Sequence, residues 1–280
     1  MADDRLDDFS CGAFTHAGST RTVFRLGSGP AVIVMAEMPG ITPRVLEFAR
    51  RLPELGCTAV VPHLFGVPGL DPNPNAHGKL AAATNFLGSA VRVCVSKEFL
   101  TLASGRTSPI VDWLRALAAD EHQQCGGPGV AAVGMCLTGG FALAMAVDDR
   151  LIAPVLSQPS LPLPLTRQQR RSMDIGPDDL ARVKQRCAHG LSVLGLRFRS
   201  DIFVPDERFA FLREQLGDSF IAVELDDQDA NPAAALPPHS VLTEHLIDSP
   251  GTATHAALHQ VLSFIRQRLV QTEQVDNSAP

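Results

Sequence analysis

Short runs that are apolar at every position alternate along the chain with longer stretches of helical spacing. Residues 31–36, AVIVMA, form one such run and pass into a loop containing Pro39 and Gly40, which predicts a buried strand. Residues 42–56 follow with apolar positions three and four apart, which predicts a helix stopping at Gly56. A second apolar run ends at Pro62, and strand–helix–strand at this spacing suggests a parallel crossover. Residues 66–80 are rich in Gly, Pro and Asn and read as a loop, with a helix expected near 79–102. Another helix is expected to begin at the capping residue Ser108, with Pro109 just inside. The pattern then repeats: strand 129–135, helix 139–148, and strand 152–160 entering a Pro-rich loop. Strand 191–201, helix 205–217, strand 220–226 and helix 252–270 complete it. Residues 160–190 are polar with helical pieces and could sit as a small cap over a sheet. The tail 271–280 is expected to be disordered. With no internal repeat and no separating linker, the order predicts a single α/β domain over 1–270. Its sheet would be doubly wound and mostly parallel, with helices on both faces.

Composition narrows the function. The chain has 280 residues, 45% of them hydrophobic and 19% charged, enough apolar material for a sizeable core. Its net charge is −6 and no basic stripe interleaves with aromatics, so nucleic acid is not an expected partner. No apolar stretch reaches the roughly 18 residues of a membrane span. The acidic start, MADDRLDDFS, is unlike a secretory signal, so a cytoplasmic protein is expected. Six cysteines are scattered without a C-x-x-C pair, which predicts free thiols and neither a metal nor another cofactor.

The chemistry centres on Gly134-Met135-Cys136-Leu137-Thr138-Gly139-Gly140. A nucleophile between a strand and a helix needs small neighbours, so that the turn closes and the side chain projects above the sheet. The helix end that follows favours a thiolate. A buried structural cysteine is the plain alternative. A nucleophile also needs a base, and the base an orienting acid, in the chain order nucleophile, acid, histidine. Asp201 stands where a strand ends, whereas Asp206 falls in the first turn of the next helix, where an acid simply opposes the dipole. Four histidines come late: His239 in a loop, His245 in a strand-like stretch, and His255 and His259 four apart on one helix face.

Together these residues resemble the dienelactone hydrolase family, a branch of the α/β-hydrolase fold with a cysteine nucleophile. The elbow resembles G-x-C-x-G-G. Asp201-Ile202-Phe203-Val204-Pro205 resembles the D-x-x-V-P context of the family's acid, and His239-Ser240 its histidine–serine pair. Placing His239 there also brings the last helix into register without gaps. Glu37, after the first apolar strand, matches a glutamate that holds the resting thiol in that family. The resemblance implies an oxyanion hole made by the backbone N–H groups of Met38 and Leu137. It implies a small-molecule ester, lactone or related acyl substrate, cleaved by a Cys136–His239–Asp201 triad.

The chain departs from the family in three places. Thr138 occupies the elbow's second glycine position. Thr243 stands where an arginine would grip a substrate carboxylate, and the chain has no tyrosine. The segment 160–190 is longer than a minimal member needs. A true dienelactone is therefore not the expected substrate. The rival readings are a thiol redox or sensor protein, and a non-catalytic binding protein, on a hydrolase scaffold. Trp113 is expected in a helix core, Arg106 at the surface, and His63 near the site.

Overall fold

The computed structural model describes residues 2–72, 99 and 104–271. The helix expected at 79–102, apart from Phe99, and the tail beyond Gln271 lie outside the described residues.

The chain opens with two antiparallel strands, β1 (Ser10–His16) and β2 (Ser19–Gly27). Ala17 and Gly18 join them, both with positive φ (48° and 78°), the conformation of a tight two-residue hairpin turn. This hairpin rests on α2 (Ile110–Cys125). The Trp113 indole N–H donates to the Ser19 carbonyl at 3.1 Å, and Phe14 packs edge-on against its ring. Arg25 Nε donates to the buried Glu121 at 2.8 Å.

The parallel part starts with β3 (Ala31–Met35), α1 (Pro43–Ala49) and β4 (Thr58–Pro62). Thr42 caps α1 by accepting from Val45 N, and Pro43 fits its first turn. The expected helix to Gly56 stops early. Pro53 has no N–H to donate to the Ala49 carbonyl, and its ring would clash there. A 3₁₀ turn, Pro53–Leu55, follows, and Gly56 at φ 79° ends it. At α2, Ser108 makes no side-chain cap; the helix starts after Pro109, with the buried Ser108 contributing its carbonyl to Val111 N at 2.9 Å.

The remaining elements are β5 (Val130–Met135), α3 (Gly139–Met145), β6 (Leu151–Ser157), α4 (Arg167–Arg170) and α5 (Pro177–Ala188). After them come β7 (Val193–Phe198), α6 (Asp206–Leu216), β8 (Phe220–Leu225) and α7 (Ala253–Leu269). Within the 160–190 segment, α5 carries the chain from β6 back to β7 and packs on α3 and α6.

The eight strands lie in the order β1-β2-β4-β3-β5-β6-β7-β8, and every pair from β4 to β8 is parallel. Alternate residues of the central strands feed opposite cores. Ala31, Ile33 and Met35 join Val130 and Ala132 on the face covered by α2, α3, α5 and α6. Val32 and Val34 join Ala131, Val133 and Met135 on the face covered by α1 and α7. Burial on both faces explains why these strands read as continuous apolar runs. From β3 the chain first adds β4 on one side and later β5 on the other. That reversal opens a crevice at the carboxyl ends of β3 and β5, where ligands bind in open α/β sheets.

Candidate active site

Cys136 follows β5 at this crevice. It is a non-glycine residue at φ 56°, and such strained conformations cluster at functional sites. A 3₁₀ turn, Cys136–Thr138, leads directly into α3. The flanking glycines are required by close approach. A Cβ on Gly134 would lie 2.2 Å from the Thr138 carbonyl oxygen, and one on Gly139 2.6 Å from Pro159 Cα. Thr138, the departure from the family pattern, has φ −88°, where a side chain costs nothing. It is fully buried, and its Oγ1 accepts from Met135 N at 2.9 Å. The same oxygen lies 2.9 Å from the carbonyls of Met135 and Met35. The hydroxyl therefore fastens the turn after β5 to the end of β3.

The loops after β7 and β8 bring Asp201 and His239 together. Asp201 Oδ2 lies 2.6 Å from His239 Nδ1, with the Asp201 side chain buried and His239 only 17% exposed. Asp201 Oδ1 accepts from Phe203 N at 2.9 Å, so the carboxylate is held on both oxygens. Phe203 stands edge-on to the imidazole, with ring centres 5.6 Å apart. Burial pushes the His239 pKa down, but the Cys136 charge, the Asp201 hydrogen bond and a hydrogen bond to Cys136 outweigh it, and the result lies well above the ordinary value. Asp206 takes the place expected of it in the first turn of α6, where it also meets Arg197.

Glu37 is buried just beyond β3. Ser240 Oγ donates to its Oε2 at 2.7 Å, Gln158 Nε2 donates to the same oxygen at 3.0 Å, and Thr243 donates to Oε1. Thr243 is thus a buried donor to Glu37. On the sulfur side of the site, Ser160 Oγ approaches Cys136 Sγ at 3.5 Å. Met38 and Leu137 follow the ends of the adjacent parallel strands β3 and β5, whose register pairs Met35 with Gly134.

The other late histidines have local partners. The strand-like stretch expected from His245 to Asp248 forms no strand: His245 ends a run of turns, 241–245, and residues 246–248 are irregular. The buried His245 ring accepts at Nδ1 from Ser240 N (3.1 Å) and His239 N (3.4 Å), and its Nε2 donates to the Leu236 carbonyl at 3.0 Å. Burial lowers its pKa, in keeping with a neutral ring that fixes the backbone of the His239 loop. His255 bonds Asp248 and packs against the exposed His259. Among the described residues, no group of three His, Cys, Asp or Glu side chains is arranged to hold a metal ion. No described helix is long and apolar enough to cross a membrane. Trp113 is buried in the core, Arg106 is exposed, and His63 Nε2 donates to the Gly66 carbonyl within its own loop.

Sequence reasoning missed Gln158, Ser160 and Arg208, and it weighed His245 only as a rival to His239, not as the ring that holds the His239 loop. Gln158 and Ser160 stand just past the end of β6, beside the elbow strand, a position that was itself the available signal. Arg208, fully buried on α6, donates to the carbonyls of Ser172 (3.1 Å), Pro159 (2.8 Å), Phe203 (3.0 Å), Pro162 and Gln169 (3.0 Å). Nothing in its helical spacing distinguishes it from a surface arginine.

The strand order and the turn after β5 define an α/β-hydrolase fold. Residues 20–173, more than half of the chain, match the model of the dienelactone hydrolase family, and the chain belongs to that family. Solved structures share the fold at low identity. A dienelactone hydrolase-like promiscuous phosphotriesterase from metagenomic libraries is 18% identical, with a TM-score of 0.59 over 93% of this chain and 98% of the other. A dienelactone hydrolase from Anabaena variabilis is 17% identical, with a TM-score of 0.54 over 93% and 98%. An α/β-hydrolase from a Penicillium species is 13% identical, with a TM-score of 0.57 over 93% and 99%. The comparison with curated proteins gives no match. Membership of the family makes the protein a hydrolase.

Proposed function

We propose that the protein hydrolyses a small carboxylic ester, lactone or related acyl compound through Cys136, His239 and Asp201. The observation that carries this reading is the 2.6 Å bond from His239 to the buried Asp201, with the same imidazole in hydrogen-bond contact with Cys136, a residue in left-handed conformation at the end of β5. In this reading the raised pKa of His239 favours an imidazolium beside a thiolate. Sγ attacks the carbonyl carbon, and the electron pair of the C=O bond moves to oxygen, which rests on the N–H groups of Met38 and Leu137. As the C–O bond breaks, His239 protonates the departing oxygen. A water, deprotonated by His239, then attacks the thioester, and the C–S bond breaks to restore the thiolate. Glu37, held by three neutral donors, supports the Gln158 and Ser240 side of the site. No step calls for a metal or cofactor.

A panel of p-nitrophenyl esters and lactones tests the proposal. Wild-type turnover should fall by at least about a thousandfold in Cys136→Ala, the scale of losing a nucleophile. Undiminished turnover in that variant would remove Cys136 from the mechanism.

A further inference from the structure

We propose that Ser160 is a direct hydrogen-bond donor to the reacting sulfur, and that its proton swings between Cys136 Sγ and the Gln158 carbonyl as charge on the sulfur comes and goes. The inference rests on the reading of Cys136 as nucleophile and adds a residue that the sequence motif does not contain.

Ser160 Oγ has two acceptors within reach, Cys136 Sγ at 3.5 Å and the Gln158 carbonyl oxygen at 3.0 Å. A hydroxyl has a single proton and serves one of them at a time. The backbone fixes the geometry independently of that choice, because Ser160 N donates to the Cys136 carbonyl at 3.0 Å. Ser160 is 3% exposed, so bulk water does not replace it readily. The second acceptor is also built in. Gln158 is fully buried at φ 36°. Its amide is anchored by Glu37 and Ser157 and by the backbone N–H of Val241.

The choice follows from the strength of the acceptors. A neutral thiol or thioester sulfur is a weak acceptor, so the proton then belongs to the carbonyl. A thiolate makes a charge-assisted bond and draws the proton to itself. The hydroxyl keeps its proton throughout; only its direction changes. When the thioester adduct collapses and the C–S electron pair returns to sulfur, Ser160 turns toward it. Among the described residues, the ionisable groups around the sulfur are His239, with Asp201 behind it, Glu37 beyond Gln158, and Arg208 on the Pro159 carbonyl with Asp174 near Gly140. Removing the Ser160 hydroxyl leaves each of them in place.

The test is the pH dependence of Cys136 alkylation by iodoacetamide, read at the Cys136 peptide by mass spectrometry in wild type, Ser160→Ala and Ser160→Thr. Burial pushes the Cys57 thiol up to about 11 and raises those of Cys125 and Cys187, which limits their competition for reagent near neutral pH. Loss of one charge-assisted bond should move the alkylation midpoint of Ser160→Ala upward by about one pH unit. Ser160→Thr, which keeps the hydroxyl, should stay close to wild type. A Ser160→Ala midpoint equal to wild type, or a Ser160→Thr midpoint displaced equally far, overturns the proposal. If the alanine variant does not fold, Ser160→Gly carries the same comparison. The readout needs no ester turnover, so a failure of the hydrolase reading and a failure of this one are distinguishable.

Discussion

His239 is pulled in two directions: its burial favours the neutral ring, while Cys136 and Asp201 favour the cation and prevail. The sign has a direct test by NMR. The two ring nitrogens of His239 should report an imidazolium at pH 7.5 in wild type, above the ordinary titration near 6.5. In Cys136→Ala the largest influence raising the pKa is gone, and only Asp201 opposes burial. The ring should then lose its proton at a lower pH. A neutral ring at pH 7.5 in wild type would contradict the ion pair. At this scale the positions of Cys136 at a turn and Asp201 at a strand end followed from the local pattern, and the structure has them there, whereas His239 was singled out among four late histidines only by the family resemblance. The sequence was not readable for His245, whose ring serves backbone groups that only the folded loop brings to it.

Between elements, Arg208 does what no regular hydrogen-bond ladder does here. From α6 it holds the Asp201 loop through Phe203, and the segment after β6 through Pro159, Pro162, Gln169 and Ser172. Burial lowers its pKa to about 10, yet the group remains a cation at neutral pH. Arg208→Met leaves several buried carbonyls without donors and should cost about 3 kcal/mol or more, measured by urea unfolding. Arg208→Lys should recover little of this, since an ammonium has three donors and no planar fork. A loss below about 1 kcal/mol would show that the carbonyls find other partners. Element boundaries were legible wherever apolar periodicity met a clear breaker. They failed at 42–56, where the spacing continues through Pro53, and in the β1–β2 hairpin, whose partly exposed strands lack a continuous apolar run.

Across the whole molecule, the parallel strands announced themselves but their order did not, since neighbours in a sheet are chosen by contacts far apart in sequence. The reversal at β3 brings the end of β3 against the turn that follows Cys136, across about a hundred residues of chain, through the Thr138 hydroxyl on the Met35 carbonyl. If residues 1–270 form one cooperative domain, unfolding should be a single transition. Trp113, the chain's one tryptophan, reports how the hairpin docks on α2. Its fluorescence and far-UV circular dichroism should change at the same urea concentration. Separate midpoints would show that the hairpin side melts apart from the rest. Thr138 has a consequence at this scale as well. By tying the turn after β5 to the tip of β3, it lends the proposed oxyanion donors the stiffness of the sheet's centre rather than the mobility of its loops. The gap between Met38 and Leu137 is then set before any substrate arrives, and the enzyme would select acyl groups by fit instead of moulding itself around them.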